Sequence, residues 1–228
     1  MSRYSYSMES NSFGSARITW AVQRLILANI IVFALQLLTD PLMIWLNTRP
    51  GFYGGGLSPW LGFQQQKFLS GFLWSPITYQ FLHNGLMHLF MNMLWLFFFG
   101  PDVERVLGTR SFFRFYLLCG AGGVMATMLP YLFMGEITNV VGASGAVMGV
   151  MVAFAVVEPD REFFLFPFPW PVNARALVMI VFVMNIIYSL DGTSVSVLTH
   201  FGGMAVGFLY MKILPMFISL RRERRRKE

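Results

Sequence analysis

The chain has 228 residues, of which 56% are hydrophobic and only 12% are charged, and its mean hydropathy is +0.58. A soluble domain of this size cannot bury so much apolar surface, so the composition excludes an ordinary soluble fold and predicts a single membrane domain. The net charge is +6, and residues 221–228 alone carry six basic and two acidic side chains directly after an apolar segment, which favours anionic lipid headgroups over nucleic acid as their partner.

Six apolar segments follow one another along the chain, and each is predicted to be a membrane-spanning helix. They are residues 20–38, 77–99, 112–133, 144–157, 174–190 and 195–214. A helix needs about 20 apolar residues to cross a bilayer, so the fourth segment is short and must be surrounded by protein. The predicted fold is therefore all-α, with six transmembrane helices in residues 20–214, a polar segment 1–19 before them and a basic tail 215–228 after them.

Basic residues divide unevenly between the two sides of this six-helix arrangement. With a cytoplasmic N-terminus, only Arg49 and Lys67 of the 17 lysines and arginines lie outside, which leaves 15 in the cytoplasm. This excess follows the positive-inside rule and predicts that both termini are cytoplasmic. The external connection 39–75 is rich in prolines and aromatic residues and is expected to lie at the membrane interface, whereas the proline-rich connection 158–173 cannot be helical throughout.

Polar side chains are costly at membrane depth, so those within the six segments are candidate functional residues. They are His83, Asn84, His88, Asn92, Ser144, Asn185 and His200, besides scattered serines and threonines. His88 and Asn92 are four residues apart and share one face of a helix, from which His83 would point away if the helix were straight. Such a His/Asn pair is more often a hydrogen-bonded clamp between helices than part of an active site.

Ser144 begins the short fourth segment, within the sequence Gly-Ala-Ser-Gly at residues 142–145. The free N–H groups at a helix N-terminus, together with its partial positive charge, suit a developing oxyanion. An ordinary N-cap serine fits the same local sequence equally well. The local sequence therefore leaves both a nucleophile and a structural cap open.

Spaced glycines offer a way to bring Ser144 close to a base. They are Gly145 and Gly149 on the fourth segment, and Gly203 and Gly207 on the sixth. Each pair forms a small-xxx-small pattern, which permits close packing of helices in membranes. If the two helices pack through these glycines, Ser144 comes near His200, and histidine is the usual base for a nucleophilic serine.

Four motifs, in order along residues 74–210, resemble those of the rhomboid family of intramembrane proteases. They are residues 83–92 (HNGLMHLFMN), 104–108 (ERVLG, expected in the loop after the second span), 142–145 (GASG) and 200–203 (HFGG). The resemblance implies a rhomboid-like bundle of six transmembrane helices with a short central fourth helix. It also implies a serine endopeptidase that hydrolyses peptide bonds in or near the transmembrane segments of other membrane proteins.

The resemblance assigns roles to the matched positions. It makes Ser144 the nucleophile and His200 the general base of a dyad without a carboxylate. It assigns the oxyanion site to His88, Asn92, Gly142 and the backbone N–H of Ser144, and structural support to His83, Glu104, Gly145 and Gly203. No cofactor or metal ion is expected, and the expected partners are transmembrane protein substrates and the lipid bilayer. A core of six spans resembles bacterial members, so a bacterial inner membrane is the predicted location.

Two positions depart from the family pattern. Met148 stands where an aromatic residue often stacks on the catalytic histidine, and its thioether is expected to contact the imidazole less rigidly. Ser75 follows Trp74 where an arginine is common, so the arginine's contribution to holding that loop is not expected here. Two alternatives remain open at this stage. One is a rhomboid-like protein that binds or remodels membrane helices without cleaving them, and the other is a transporter or channel, although no mid-membrane carboxylate supports it.

Overall fold

The computed structural model describes residues 18–47, 56–164, 170–190 and 194–227. The helices are α1 (Trp20–Asn47), α2 (Leu57–Leu61), α3 (Gln65–Leu69), α4 (Ser75–Thr78), α5 (Leu86–Leu107), α6 (Thr109–Met125), α7 (Met128–Met134), α8 (Ser144–Val157), α9 (Ala174–Leu190) and α10 (Ser194–Lys227), with a 3-10 turn at Tyr79–Phe81. Two antiparallel ladders of two-residue strands pair β1 (Phe63–Gln64) with β2 (Asn139–Val140), and β3 (Glu162–Phe163) with β4 (Val172–Asn173). Outside the described residues lie most of the predicted polar N-terminal segment, Arg49 and part of the proline-rich connection.

Three helical stretches of the described residues are long and apolar enough to cross a membrane: Trp20–Leu42, Leu86–Leu107 and Thr109–Met134. Three shorter apolar helices accompany them, at Ser144–Val157, Ala174–Ile187 and Val197–Ile213. The predicted fourth and fifth segments coincide with α8 and α9. The chain is thus a mostly helical membrane protein.

The predicted second segment, 77–99, has the wrong bounds. The backbone leaves the helical conformation at Leu82, and α5 begins only at Leu86, after Gly85 in an extended conformation. His83 is therefore in a connection and not on a helix. At its other end α5 continues past Pro101 to Leu107, so Glu104 belongs to the helix and not to the loop predicted there. Hydropathy misplaced both ends because an apolar run does not reveal where backbone hydrogen bonding stops.

Other boundaries also differ from the predictions. The predicted third segment, 112–133, is divided into α6 and α7 by a turn at residues 126–127, while α1 and α10 extend past the predicted ends at 38 and 214. Part of the connection predicted for 39–75 is consequently helical. Polar residues can continue a helix outside the apolar layer, since a helix satisfies its own backbone hydrogen bonds wherever it lies.

The short helix α8 lies at the centre of the bundle, because it is apolar on every side and packs against α5, α6 and α10. Glycines set how closely α8 and α10 approach. A Cβ atom on Gly203 would overlap the backbone oxygen of Gly145, and one on Gly207 would lie 2.6 Å from the oxygen of Gly149. The close packing that the glycine spacing predicted is thus present.

Helix α6 approaches α10 from another side, through glycines to which the sequence analysis gave no role. A Cβ atom on Gly123 would lie 2.6 Å from the oxygen of Thr199, and one on Gly202 would lie 3.0 Å from the oxygen of Gly122. Glycine contacts therefore hold α10 between α6 and α8. His200 lies on this stretch of α10.

Candidate active site

The chain enters α8 through a sharp turn at Gly142, whose φ of +126° favours glycine. The N–H of Gly142 donates to the carbonyl of Tyr79, at 3.0 Å, and the first bond of the helix joins the N–H of Val147 to the carbonyl of Ala143. The N–H groups of Ser144 and the two residues after it precede that bond, so the helix supplies no acceptor for them. Ser144 consequently stands at a helix N-terminus with backbone donors beside it.

The glycine packing of α8 against α10 brings the histidine to the serine. His200 Nε2 lies 2.8 Å from Ser144 Oγ, although the two residues are 56 positions apart in the chain. This distance is within hydrogen-bonding range. The structure therefore brings together the two residues that the sequence analysis singled out as a nucleophile and its base.

A third side chain, Asn185 of α9, completes this hydrogen-bonded chain. His200 Nδ1 lies 2.5 Å from Asn185 Oδ1, and Asn185 Nδ2 donates to the carbonyl of Val181 at 2.8 Å. Asn185 is only 8% exposed. Asn185 is one of the polar residues predicted at membrane depth, but its sequence context predicted no role for it. A polar amide within an apolar segment indicated a functional residue, but the sequence could not predict that His200 is its partner.

A cavity of about 270 Å³ opens at this serine–histidine pair. Its lining includes Asn84, His88, Met91, Asn92, Trp95, Asn139, Val140, Val141, Ser144, Met148, Thr199 and His200. His88 and Asn92 thus line the same cavity as Ser144, and they lie on one face of α5, as their spacing predicted. None of these lining residues is acidic. Among the described residues no group of three side chains suited to a metal ion is found either.

Gly142 lies directly against His88. A Cβ atom on Gly142 would come within 2.6 Å of His88 Cε1 and 2.9 Å of Nε2, so only glycine leaves room for the imidazole. Because the N–H of Gly142 is already bonded to Tyr79, this residue supplies space and not a free donor. Asn92 donates from Nδ2 to the carbonyl of His88 at 2.9 Å, which steadies its side chain and leaves its second amide hydrogen for another acceptor.

His83 lies beside this site and is fixed mainly through its backbone. Its N–H donates to Gln36 Oε1 at 2.9 Å, and its carbonyl accepts from Gln36 Nε2 at 3.4 Å. Its ring packs edge-on against that of His88, with centroids 5.1 Å apart. His83 therefore tethers the connection before α5 to α1 and supports the His88 ring.

Glu104 holds the opposite end of the bundle together. Its two carboxylate oxygens accept the N–H groups of Ala21 and Val22 at the start of α1, each at 3.0 Å, and one of them also accepts from Thr109 Oγ1 at 2.8 Å. A carboxylate at a helix N-terminus satisfies free donors and complements the helix dipole. Glu104 thus joins the start of α1 to the start of α6, and its role is structural.

The two positions that depart from the family pattern have defined surroundings. Met148 lines the cavity together with His200, one turn after Ser144 on α8. Ser75 is buried, and its hydroxyl donates to the carbonyl of Phe72 at 2.7 Å. The neighbouring Trp74 donates from Nε1 to the carbonyl of Trp60 at 2.9 Å, so this connection is held by its own hydrogen bonds.

These features define a class of protein: a helical membrane protein with a serine–histidine pair at a cavity that polar and apolar side chains both line. Residues 70–217 match the Rhomboid domain, so the chain belongs to the rhomboid family, as the four motifs predicted. It is 32% identical over 158 residues to "Rhomboid protein 1, mitochondrial" of Saccharomyces cerevisiae, a match that covers 66% of this chain and 44% of the yeast protein.

Two proteins of Bacillus subtilis are also similar to the chain. It is 26% identical to "Putative rhomboid protease YdcA", in a match that covers 61% of this chain and 66% of that protein. It is 29% identical to "Rhomboid protease GluP", in a match that covers 59% of this chain and 25% of that protein. The chain thus spans less than half the length of the yeast protein and about a quarter of GluP. These two relatives, which have protease in their names, come from a bacterium, while the yeast relative is named for mitochondria.

Proposed function

We propose that this chain is an intramembrane serine endopeptidase that hydrolyses peptide bonds in or near the transmembrane segments of other membrane proteins. The observation that carries the proposal is the 2.8 Å approach of His200 Nε2 to Ser144 Oγ at a cavity that His88 and Asn92 also line. A serine needs an adjacent base to become nucleophilic, and this geometry supplies one. Membership of the rhomboid family, which includes serine proteases, supports the same function.

In this mechanism His200 takes the proton of Ser144 as its oxygen attacks the carbonyl carbon of the scissile bond. His200 then gives that proton to the leaving amine, and an acyl-enzyme remains on Ser144. Water that enters through the cavity is deprotonated by His200 and releases the acyl group. The substrate segment has to lose its helical hydrogen bonds locally, because a helical backbone shields the carbonyl that is attacked.

The negative charge that develops on the carbonyl oxygen needs donors that are already in place. Ser144, His88 and Asn92 all line the cavity, and we propose the backbone N–H of Ser144, the imidazole of His88 and the amide of Asn92 as these donors, while Gly142 leaves the space. Removing one oxyanion donor typically raises the barrier by about 3–4 kcal/mol. We therefore assign the two side chains to transition-state stabilisation and not to substrate binding.

The proposed topology has six spans in residues 20–214, with both termini in the cytoplasm. Seven cations of the described helices and turns lie at the end of the bundle away from Ser144: Arg24, Arg105, Arg110, Arg114, Arg161, Arg175 and Lys212. The positive-inside rule places that end in the cytoplasm and the active site near the outer surface. A bacterial inner membrane stays our proposed location on the six-span core alone, because the relatives divide between bacterial proteins and proteins named for mitochondria.

Labelling of the purified chain with a fluorophosphonate, which reacts with activated serines, tests this proposal. We expect the wild type to be labelled and Ser144→Ala and His200→Ala to remain unlabelled. A fluorescent transmembrane substrate in several lipids should be cleaved by the wild type alone. A folded wild type that neither reacts nor cleaves would instead support a rhomboid-like protein that binds membrane helices without hydrolysis.

A further inference from the structure

We propose that Asn185 is a positioning residue for His200, so that the site is a Ser-His-Asn triad and not a dyad. The inference rests on the proposed function, in which His200 is the general base. Asn185 does not touch the reacting atoms. It acts through the imidazole, by holding the tautomer and the ring orientation in which Nε2 can take the serine proton.

The orientation of the Asn185 amide follows from its second hydrogen bond. An amide nitrogen can only donate, and Asn185 Nδ2 donates to the carbonyl of Val181, one turn earlier on α9, at 2.8 Å. The opposite orientation would place the amide oxygen against that carbonyl and the amide hydrogens against the ring. The atom facing His200 Nδ1 at 2.5 Å is therefore the amide oxygen, Oδ1.

The tautomer of His200 follows from that orientation. Oδ1 is an acceptor only, so Nδ1 of the ring must carry its hydrogen. A neutral imidazole has a single N–H, which leaves Nε2 with a lone pair. Nε2 then accepts the hydroxyl hydrogen of Ser144 across the 2.8 Å separation, which is the arrangement that a general base requires.

Asn185 keeps its role when the proton moves. Once His200 has taken the serine proton, its ring is a cation that donates from both nitrogens, and Oδ1 still accepts from Nδ1. An amide does this without adding a charge at membrane depth, where a carboxylate would be costly. Asparagine also orients the histidine in the Cys-His-Asn sites of unrelated proteases, so the chemistry does not require an acid.

Two substitutions separate positioning from packing. Asn185→Leu is similar in size but has no acceptor, whereas Asn185→Asp keeps an oxygen facing Nδ1. We expect Asn185→Leu to lower kcat about 10- to 100-fold with little change in KM. Asn185→Asp should recover most of that loss, because a buried aspartic acid is neutral, so its hydroxyl can donate to the carbonyl of Val181 while its other oxygen accepts from Nδ1. Asn29→Leu is the matched control, because Asn29 is a buried asparagine of α1 that also donates to the carbonyl four residues earlier, at 2.7 Å, without lining the cavity.

The outcomes distinguish this inference from the proposed function. Labelling by a fluorophosphonate that is abolished in Ser144→Ala but unchanged in Asn185→Leu would refute the role of Asn185 and leave the protease intact. Equal losses in the leucine and aspartate variants would also refute it, because they would show a role in packing alone. A wild type that is not labelled at all would refute the proposed function and the triad together.

A different cavity carries a second, independent inference. A crevice of about 390 Å³ lies between α8, α9 and α10, at the end of the bundle away from Ser144. Its walls are mainly apolar, and they include Val152 of α8, Met179 of α9 and Phe208 of α10. Met179 is 58% exposed and Phe208 is 47% exposed, so the crevice opens toward the lipid that surrounds the bundle. A hydrocarbon chain fits such walls.

Two cations, Arg175 and Lys212, also line this crevice. The Arg175 guanidinium is only loosely paired, at 3.8 Å from Asp160, and these two side chains are 65% and 84% exposed. Lys212 lies over the ring of Phe208 with its Nζ atom 5.4 Å from the ring centre. We propose that the crevice binds an anionic phospholipid, with an acyl chain against the apolar walls and the phosphate between the two cations.

Native mass spectrometry of the chain with phosphatidylglycerol or phosphatidylcholine tests this site. We expect one phosphatidylglycerol molecule to be retained preferentially, and Arg175→Gln/Lys212→Gln to weaken its binding about 30-fold, from about 1 kcal/mol for each basic residue. Arg110→Gln/Arg114→Gln is the control, because it removes the same charge at the same end without touching the crevice. Equal retention of both lipids, or an equal loss in the control, would refute the site.

Discussion

Replacing Gly203 with alanine tests whether the close approach of α8 and α10 sets the geometry of the serine–histidine pair. The added Cβ atom would overlap the backbone oxygen of Gly145, and it would lie 2.7 Å from the carbonyl carbon and 3.1 Å from the Cα atom of that residue. These are backbone atoms of a buried helix and cannot turn aside as a flexible side chain can. The two helices must therefore separate.

The size of the separation follows from ordinary contact distances. Non-bonded carbon atoms rest at about 3.5–4.0 Å, so the contact of 2.7 Å requires a shift of roughly 0.8 Å or more. His200 and Ser144 are three residues before Gly203 and one residue before Gly145, so most of this shift reaches them. Their 2.8 Å contact would open to about 3.6 Å, which is no longer a hydrogen bond. A misplacement near 1 Å can cost about 100-fold in rate.

The rate of fluorophosphonate labelling measures this effect, and a thermal melt accompanies it. We expect Gly203→Ala to label about 100-fold more slowly and to lose about 1–3 kcal/mol of stability, the usual range for an overpacked core. Gly85→Ala is the control, because a Cβ atom there meets nothing within 4 Å and the extended backbone suits any residue. A Gly203→Ala variant that labels within about threefold of the wild type would refute the argument from helix separation.

Three further predictions follow from the contacts at the two ends of the bundle. His88→Ala and Asn92→Ala should each lower kcat about 100- to 1000-fold with KM nearly unchanged in a peptide-cleavage assay, and a selective rise in KM would assign them to substrate binding instead. Gly142→Ala should abolish cleavage in the same assay, because its φ of +126° and the contact with His88 both exclude a side chain, and normal turnover would contradict that. Glu104→Gln should lower the free energy of unfolding by about 1.5–3 kcal/mol in a denaturation series, because the amide group of glutamine would point its hydrogens at a backbone N–H donor. The exposed Glu136→Gln is the control and should change the free energy of unfolding very little. Equal effects of the two substitutions would refute the capping role.

Hydropathy along the chain was sufficient to predict a helical membrane protein and to place two of its helices. The bounds of α8 and α9 agree with the prediction, because apolar residues in those stretches begin and end together with the helix. The same property failed at α5. Its apolar run starts before Leu86, and only the backbone conformation at Leu82 and Gly85 shows that the helix begins later.

For the candidate site too, the sequence predicted some features and the structure alone revealed others. Polar residues are rare within the apolar segments, so Ser144, His88 and His200 could be selected as candidates before any contact was known. Glycine spacing further predicted that α8 and α10 pack closely. The partner of Asn185 could not be predicted, because a buried amide can bond to its own helix or to any neighbouring helix, and one sequence contains no sign of which.

The sequence by itself thus determined the environment of the protein, its apolar helices and the short set of side chains that can carry chemistry. These are local properties, which depend on the cost of placing each residue in hydrocarbon. Only the tertiary structure decided that His200 Nε2 meets Ser144 Oγ and that Nδ1 meets Asn185 Oδ1. Those contacts join three helices across long separations in the chain, and their distances depend on how closely glycine backbones allow the helices to pack.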